Sequence, residues 1–429
     1  MKPLSKRTDA SKEEAIVENR PSGWAGTFES FRYRDFRLLW TGTTLLAGGI
    51  WLMQVTLGWL AYEMTQSALQ VGIILGLRAG PLLLAPVTGA LADRMDRRKL
   101  LLFDQAYVSA VVIVFAIDLL LGMEQVWHLY VFALMFGLGW AINNPVRQML
   151  VATSVPRESL ANAVALMAIA FNSMRAIGPA IGGFFIAFFG PGLNFLLMGI
   201  LFLLVFLLVL PYRVRYGTTD RTVARGQSIS RNLIEGFRYV SHQPITLAAM
   251  AVTFALTLTM MALVFNLLPV YAAEVLPGES EVVLGLLMMS LGIGGVTGTI
   301  FMARFSRVSR KGLVAIVTFA ATGLTVVALS QVSVLWMAMV VLGLHQAFIQ
   351  GVMTSNHTIV QTMTPDHMRG RVTGVYQMEI GMMPIGGIVA GAIADAFGVQ
   401  TAFAVGAIAG LAAIVVLAVV FPRYRRLDL

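Results

Sequence analysis

The feature that most constrains this chain is a recurrence of apolar runs long enough to cross a lipid bilayer. A hydrocarbon core of roughly 30 Å needs about 20 residues of helix. Six such runs lie near residues 37–62, 69–92, 100–122, 127–150, 161–188 and 194–211, and six more near 245–271, 282–304, 312–330, 334–360, 370–396 and 400–421. Within lipid the backbone must satisfy its own hydrogen bonds, so runs of this length dictate helices. Composition agrees, because 57% of residues are hydrophobic and 12% charged, about half the charged share of a soluble domain. The expected fold class is an all-α membrane protein with twelve transmembrane helices.

Positive segments resist translocation, and the basic residues are distributed accordingly. Of 31 Lys and Arg residues, 29 lie before or at the start of the first span, after the last, or in the even-numbered connections and the span ends that flank them. That side is expected to be the cytoplasm, with both termini inside, in a bacterial cytoplasmic (inner) membrane. The net charge of +9 is then a topology signal, and the expected partners are the lipid bilayer and a small-molecule substrate, with no nucleic acid. The chain has no cysteine, which excludes disulfides, thiolate metal sites and cysteine nucleophiles. The polar first 35 residues lack the apolar core of a signal peptide, so insertion is expected to depend on the first span.

The longest internal polar stretch, residues 212–244, separates two sets of six spans. This organisation predicts a tail at 1–36, a six-helix bundle at 37–211, a linker at 212–244, a second bundle at 245–421 and a short tail at 422–429. Within the linker, Ile229, Leu233, Phe237 and Val240 recur at helical spacing among Arg231, Glu235 and Arg238, which predicts an amphipathic helix on the inner membrane surface. Val155-Pro156-Arg157-Glu158, followed by Gly178, Gly182 and Gly183, has an echo in Thr364-Pro365-Asp366-His367, followed by Gly386, Gly387 and Gly391. A repeat at half the chain length fits two pseudo-symmetric bundles that alternate access to a central site.

After the second span come Gly89-Ala90-Leu91-Ala92-Asp93-Arg94-Met95-Asp96-Arg97-Arg98-Lys99. Glycine lets helices approach closely, and the carboxylate suits a neighbouring helix N-terminus while the arginines hold the loop inside. This stretch resembles the signature loop of the major facilitator superfamily, with Asp96 where that pattern usually has glycine. The resemblance implies a conformational, gating role for Gly89, Asp93, Arg94, Arg97 and Arg98. Gly178-Pro179-Ala180-Ile181-Gly182-Gly183 in the fifth span resembles the motif that exporters of the superfamily carry there. Phe31 to Trp40, Asn144-Pro145-Val146-Arg147-Gln148, Leu160-Ala161-Asn162-Ala163 and Arg369-Gly370-Arg371-Val372 extend the likeness toward the enterobactin, macrolide and multidrug efflux branch. Within the fourth span, the stretch from Phe132 to Ile142 lacks the arginine that many proton antiporters of the superfamily place there.

An ionisable side chain in hydrocarbon is costly unless paired or wetted, so each is a functional candidate. Arg78 lies near mid-depth in the second span, on the face of Gly89 and Asp93. Glu379 lies in the eleventh, and an Arg78–Glu379 contact made in one state and broken in another is one reading; separate hydration in the central cavity is the other. Arg175 shares the glycine face of the fifth span. It is expected to bind an anionic or catecholate-like group, to bias a nearby carboxylate for proton transfer, or to fill a structural role. Glu379 is the first choice for proton coupling, because burial of a carboxyl disfavours its charged form. Asp118 is expected near the outer end of the third span, half solvated, and Asp104 near the inner end, paired with Arg97 or Arg98.

His345, Gln346, Gln350, Asn356, His357 and Gln361 are expected to form a polar cavity wall, with Tyr376 and Gln377 as further candidates. The histidines are too far apart to share a metal, and no nucleotide fingerprint or catalytic triad is present. No enzyme activity, metal or cofactor is expected. The reading that follows is a monomeric secondary transporter driven by the proton gradient, exporting an amphipathic siderophore or drug. Uptake or flipping of a metabolite or lysolipid is the alternative within transport, and a receptor or channel is the alternative outside it.

Overall fold

A computed structural model describes residues 27–84, 88, 95–212, 229–304 and 309–428. Among the described residues ten helices are long and apolar enough to cross a membrane, and one of them, Arg157–Val209, has 53 residues. That length holds two crossings, divided at Gly190 with φ 78° and ψ 168°, a conformation that glycine alone adopts without strain. With the shorter apolar helix Ala68–Leu84 the set is twelve.

The first half comprises α1 (Arg34–Thr65), α2 (Ala68–Ala79, continued by the 3₁₀ segment Gly80–Leu84), α3 (Arg97–Leu120), α4 (Val126–Ser154), α5 (160–189) and α6 (191–209). The second comprises α7 (Pro244–Glu274), α8 (Ser280–Arg304), α9 (Lys311–Leu329), α10 (Leu335–Met363), α11 (Asp366–Gly381 then Met383–Phe397) and α12 (Val399–Val420). The linker helix Ile229–His242 joins them. The ends of α2, α4, α6, α8, α10 and α12 share one face of the molecule with the linker, here termed the linker face.

Local chemistry accounts for the helix ends. Gln66 closes α1 in the left-handed region at φ 49°, and Ser67 then caps α2, its Oγ accepting from Gln70 N at 3.3 Å. Asp96 caps α3, accepting from the backbone N–H groups of Arg98 at 3.0 Å and Lys99 at 3.1 Å. Its φ of −68° requires no glycine, so the residue that departs from the superfamily pattern serves as an N-cap.

The repeat is visible in the backbone. Pro156 and Pro365, Gly178 and Gly387, and Gly182 and Gly391 each stand 209 residues apart. Gly398, between α11 and α12, has φ 85° and ψ 155°, close to the values at Gly190.

Three helices depart from the uniform spans expected. In α2 the helix tightens after Ala79, where Pro81 has no N–H to donate. α11 breaks at Met382, two residues before Pro384, for the same reason. α7 widens into a π-helical turn at Thr257–Met261, a local irregularity that often accompanies function.

The linker helix docks on the first turns of α11: a Cβ on Gly236 would stand 2.9 Å from the Arg371 carbonyl oxygen, and Glu235 pairs with Arg371 at 2.5 Å. Its expected apolar face is split, since Val240 is buried and Phe237 exposed. The side chains of Ile229, Arg231 and Leu233 lie outside the described residues.

Candidate functional site

Two backbone-tight seams join the halves. Along α5 and α8, Gly183 lies against the Glu281 carbonyl, a Cβ on Gly285 would stand 2.7 Å from the Pro179 oxygen, and one on Gly292 would stand 2.5 Å from the Arg175 oxygen. Along α2 and α11, a Cβ on Gly72 would stand 2.6 Å from the Gly387 oxygen, while Gly391 lies against Ala68 and Gly76 against Pro384. Gly178 and Gly182 instead pack on Trp51 and Leu52 of α1. The glycine-proline motif therefore serves two contacts, one within the first half and one across to the second.

The seams end in a polar clasp at the face opposite the linker. The Asp395 carboxylate of α11 accepts from Ser67 Oγ at 2.6 Å, Ala68 N at 2.6 Å and Leu69 N at 3.2 Å. It thus caps α2 from the other half of the molecule. Tyr62 donates to Glu274 at 2.5 Å, and Trp59 Nε1 to Ser280 Oγ at 2.9 Å. These bonds close that face.

Inside the clasp lies a cavity of about 310 Å³, walled by α1, α2, α4, α5, α7 and α11, within the size range of small-molecule sites. Its walls are mainly apolar and aromatic, with Trp51, Trp140, Phe171, Phe265 and Met383 among them. Arg78 and Arg175 both line it, and among the described residues no Asp or Glu does. Arg78 donates to the Gln54 amide oxygen of α1. Arg175 lies over the Trp51 ring, 5.5 Å from its centroid, a cation–π contact. Neither arginine has its Nε paired. Gln346 reaches the same region from α10, since a Cβ on Gly295 would stand 3.5 Å from Gln346 Cγ and 3.8 Å from Arg175 Cζ.

Glu379 does not join them. It is buried just before the α11 break, with Oε2 unpartnered, and its polar neighbours are Thr257 on the π-turn and Tyr376. The Arg78–Glu379 contact is not made in this conformation, because Gln54 holds Arg78 and Glu379 turns toward α7.

Several other expectations are corrected. His345 is no cavity wall: it is buried between α9 and α10, with Nδ1 3.0 Å from Thr325 Oγ1 and Nε2 unpaired. Tyr376 lies in a buried network, 3.4 Å from Thr253 Oγ1, which accepts from Asn356 Nδ2 at 2.8 Å; Tyr424 donates to the same Asn356. Gln377 is exposed. Asp104 is bonded to Asn143 and Gln105 and stands in the field of Arg147. Arg98, one of its two expected partners, donates to the Leu210 carbonyl instead. Asp118 does lie near the end of α3, as expected, and there pairs with His128 at 2.7 Å, in a lateral apolar groove of about 460 Å³ between α3 and α4. Gly89, Asp93 and Arg94 lie outside the described residues, as does the side chain of Arg97.

A closed face, a central cavity between two repeated bundles and glycine seams are the parts of a transporter. The family model described as transmembrane secretion effector matches residues 25–429. The chain belongs to that family of major facilitator transporters. Among similar proteins, the staphyloferrin A transporter of Staphylococcus aureus is 26% identical over 380 residues, covering 86% of this chain and 92% of that one. The multidrug efflux pump Tap of Mycolicibacterium fortuitum is 29% identical over 390 residues, covering 87% and 92%. The enterobactin exporter EntS of Shigella boydii is 27% identical over 351 residues, covering 78% and 82%.

Solved structures share the fold. A peptide transporter POT in complex with sulfate superimposes with a TM-score of 0.73 at 12% identity, covering 97% of this chain and 99% of that one. An inward-facing, unoccupied bacterial homolog of the human lysosomal transporter Spinster gives a TM-score of 0.65 at 13% identity, covering 91% and 96%. The family match and these relatives make the chain a multi-pass transporter, and the solved structures share its major facilitator fold.

Sequence reasoning did not single out Trp51, Gln54, Asn266, Asp395, Tyr62 or Glu274. A polar amide in the middle of an apolar span was the available signal for Gln54 and Asn266.

Proposed function

We propose that the transporter exports an amphipathic small molecule, of the siderophore or drug kind, across a bacterial cytoplasmic membrane. It exchanges the molecule for protons and works as a monomer. The observation that carries this reading is the cavity at the centre of the pseudo-symmetric seam, sealed on one face by the Asp395 clasp and lined by aromatic rings and two arginines. The clustering of basic residues toward the linker face supports that face as the cytoplasmic one, and the closed clasp opposite it supports an inward-facing, loading conformation. The names of the relatives support transport of siderophores and drugs, and two of them, an efflux pump and an exporter, support the outward direction. Glu379, a buried carboxyl on the hinge of α11, is the proposed proton carrier.

Alternating access then follows from the geometry. Substrate enters from the linker face and the seams rock about the cavity, the clasp releases, and protonation of Glu379 from outside restores the loading state. Two measurements test this. Single cysteines can be placed in the cysteine-free chain: Ser241→Cys at the linker face is expected to resist an impermeant maleimide in intact cells, and Met123→Cys to react. Everted vesicles from an efflux-deficient host are expected to accumulate substrate when a proton gradient, acid inside, is imposed. Accumulation only in right-side-out vesicles would establish uptake instead.

A further inference from the structure

We propose that the central cavity is an organic-anion site, in which a deprotonated acidic group of the substrate docks between Arg78 and Arg175. This deepens the transport reading and rests on it only in taking the cavity as the substrate site. Guanidinium groups stay charged in proteins, and two of them facing one low-dielectric space repel each other unless an anion joins them. Among the described residues that line the cavity, no carboxylate does so. Arg78 has a neutral acceptor, Gln54, and Arg175 has a neutral ring beneath it. Both keep an unpaired Nε, so the site holds donor capacity and positive charge in excess of what the protein satisfies.

The wall chemistry narrows the ligand further. A cavity built for a cation would place a carboxylate in its wall, yet Glu379, the buried carboxyl of α11, is turned toward Thr257 and Tyr376. Trp51, Phe171, Phe265 and Met383 offer flat and adaptable apolar surface for the rest of the molecule. The substrate class is therefore an amphipathic anion: a carboxylate or related oxyanion on a flat apolar body. Because the arginines belong to α2 and α5 while Pro384 and Gly295 face them from α11 and α8, a bound anion also neutralises charge at both seams.

The test uses the full-length transporter in nanodiscs and isothermal titration calorimetry, with three naphthalene probes of one shape. These are the 2,6-dicarboxylate, the neutral 2,6-dicarboxamide and the cationic 2,6-dicarboxamidine. The dicarboxylate is expected to bind at least about tenfold more tightly than the dicarboxamide, and the amidine not to bind. Arg78→Gln and Arg175→Gln should each weaken dicarboxylate binding by about 10- to 100-fold, the scale of a charge-assisted hydrogen bond, and change dicarboxamide binding by less than about threefold. Arg175→Lys should recover part of the loss. Equal or tighter binding of the amide or amidine, no binding of the dicarboxylate, or dicarboxylate binding indifferent to both Gln variants would overturn the proposal. The probe comparison needs only the unmodified protein, so it stands if a variant fails to fold. Binding is read without reference to direction or energy source, so these outcomes are separate from those of the vesicle assay.

Discussion

Asp395 offers the sharpest perturbation of the conformational cycle. Its carboxylate takes three hydrogen bonds from the first residues of α2, and it belongs to the other half of the molecule, so every one of them is lost when that face opens. A hydrogen bond to a charged group contributes about 1.5–3 kcal/mol and an N-cap about 1 kcal/mol. Asp395 is exposed, which puts the net effect at the lower end, about 2 kcal/mol for its three bonds together. Asp395→Ala should therefore shift the closed-to-open ratio at this face by about 30-fold. Asp395→Asn keeps one acceptor oxygen and should shift it by about fivefold, for about 1 kcal/mol.

Spin labels at Glu63→Cys and Phe397→Cys, both exposed positions beside the clasp, report the ratio directly. Pulsed dipolar spectroscopy should show a longer-distance population growing from wild type through Asn to Ala. An Ala variant whose distance distribution matches wild type within twofold would refute the idea that Asp395 holds this face shut.

Other consequences can be checked independently. Glu379→Gln should abolish transport driven by a pH gradient while leaving substrate counterflow intact, measured in proteoliposomes; an unchanged gradient-driven rate would reassign the proton carrier. Gly292→Val places branched carbon against the Arg175 oxygen. Overpacking of about 1–3 kcal/mol should cut transport at least about tenfold without loss of membrane-inserted protein, whereas Gly370→Ala, with nothing within 4 Å, should be silent. Asp96→Ala should cost about 1 kcal/mol through the lost cap, read as a lowered melting temperature in detergent, and Asp96→Ser should restore most of it.

Much of the architecture was legible because it is written in local terms. Twelve crossings follow from run length, and the doubling follows from Pro156 and Pro365 and from Gly178 and Gly387. What the sequence withheld was partner choice. Arg78 and Glu379 were drawn together by charge and by their places on facing helices, yet α11 breaks at Met382 and turns Glu379 aside. His345 looked like a wall residue because helical spacing gives a face but not the neighbour that face meets; here it meets Thr325. Asp395 sits at a helix end where an exposed carboxylate is ordinary, and only the packing of α11 on α2 makes it a cap for another helix. Arg147 lies beyond the part of the fourth span where an arginine was sought, and it is buried with hydrogen bonds to Asn143 and Thr43.

The glycine seams set limits on how this gene can drift. Where α5 meets α8 and α2 meets α11, main chain lies on main chain, and a single added methyl group at Gly72, Gly285 or Gly292 would collide with a carbonyl that has no rotamer to retreat into. The exposed side of α5 carries Ile177, Ile181 and Phe184, which can be exchanged among apolar residues at little cost. Substitutions should therefore accumulate on one side of each seam helix and be purged from the other, and a random-mutagenesis library selected for export should show that stripe at helical period before any substrate is known.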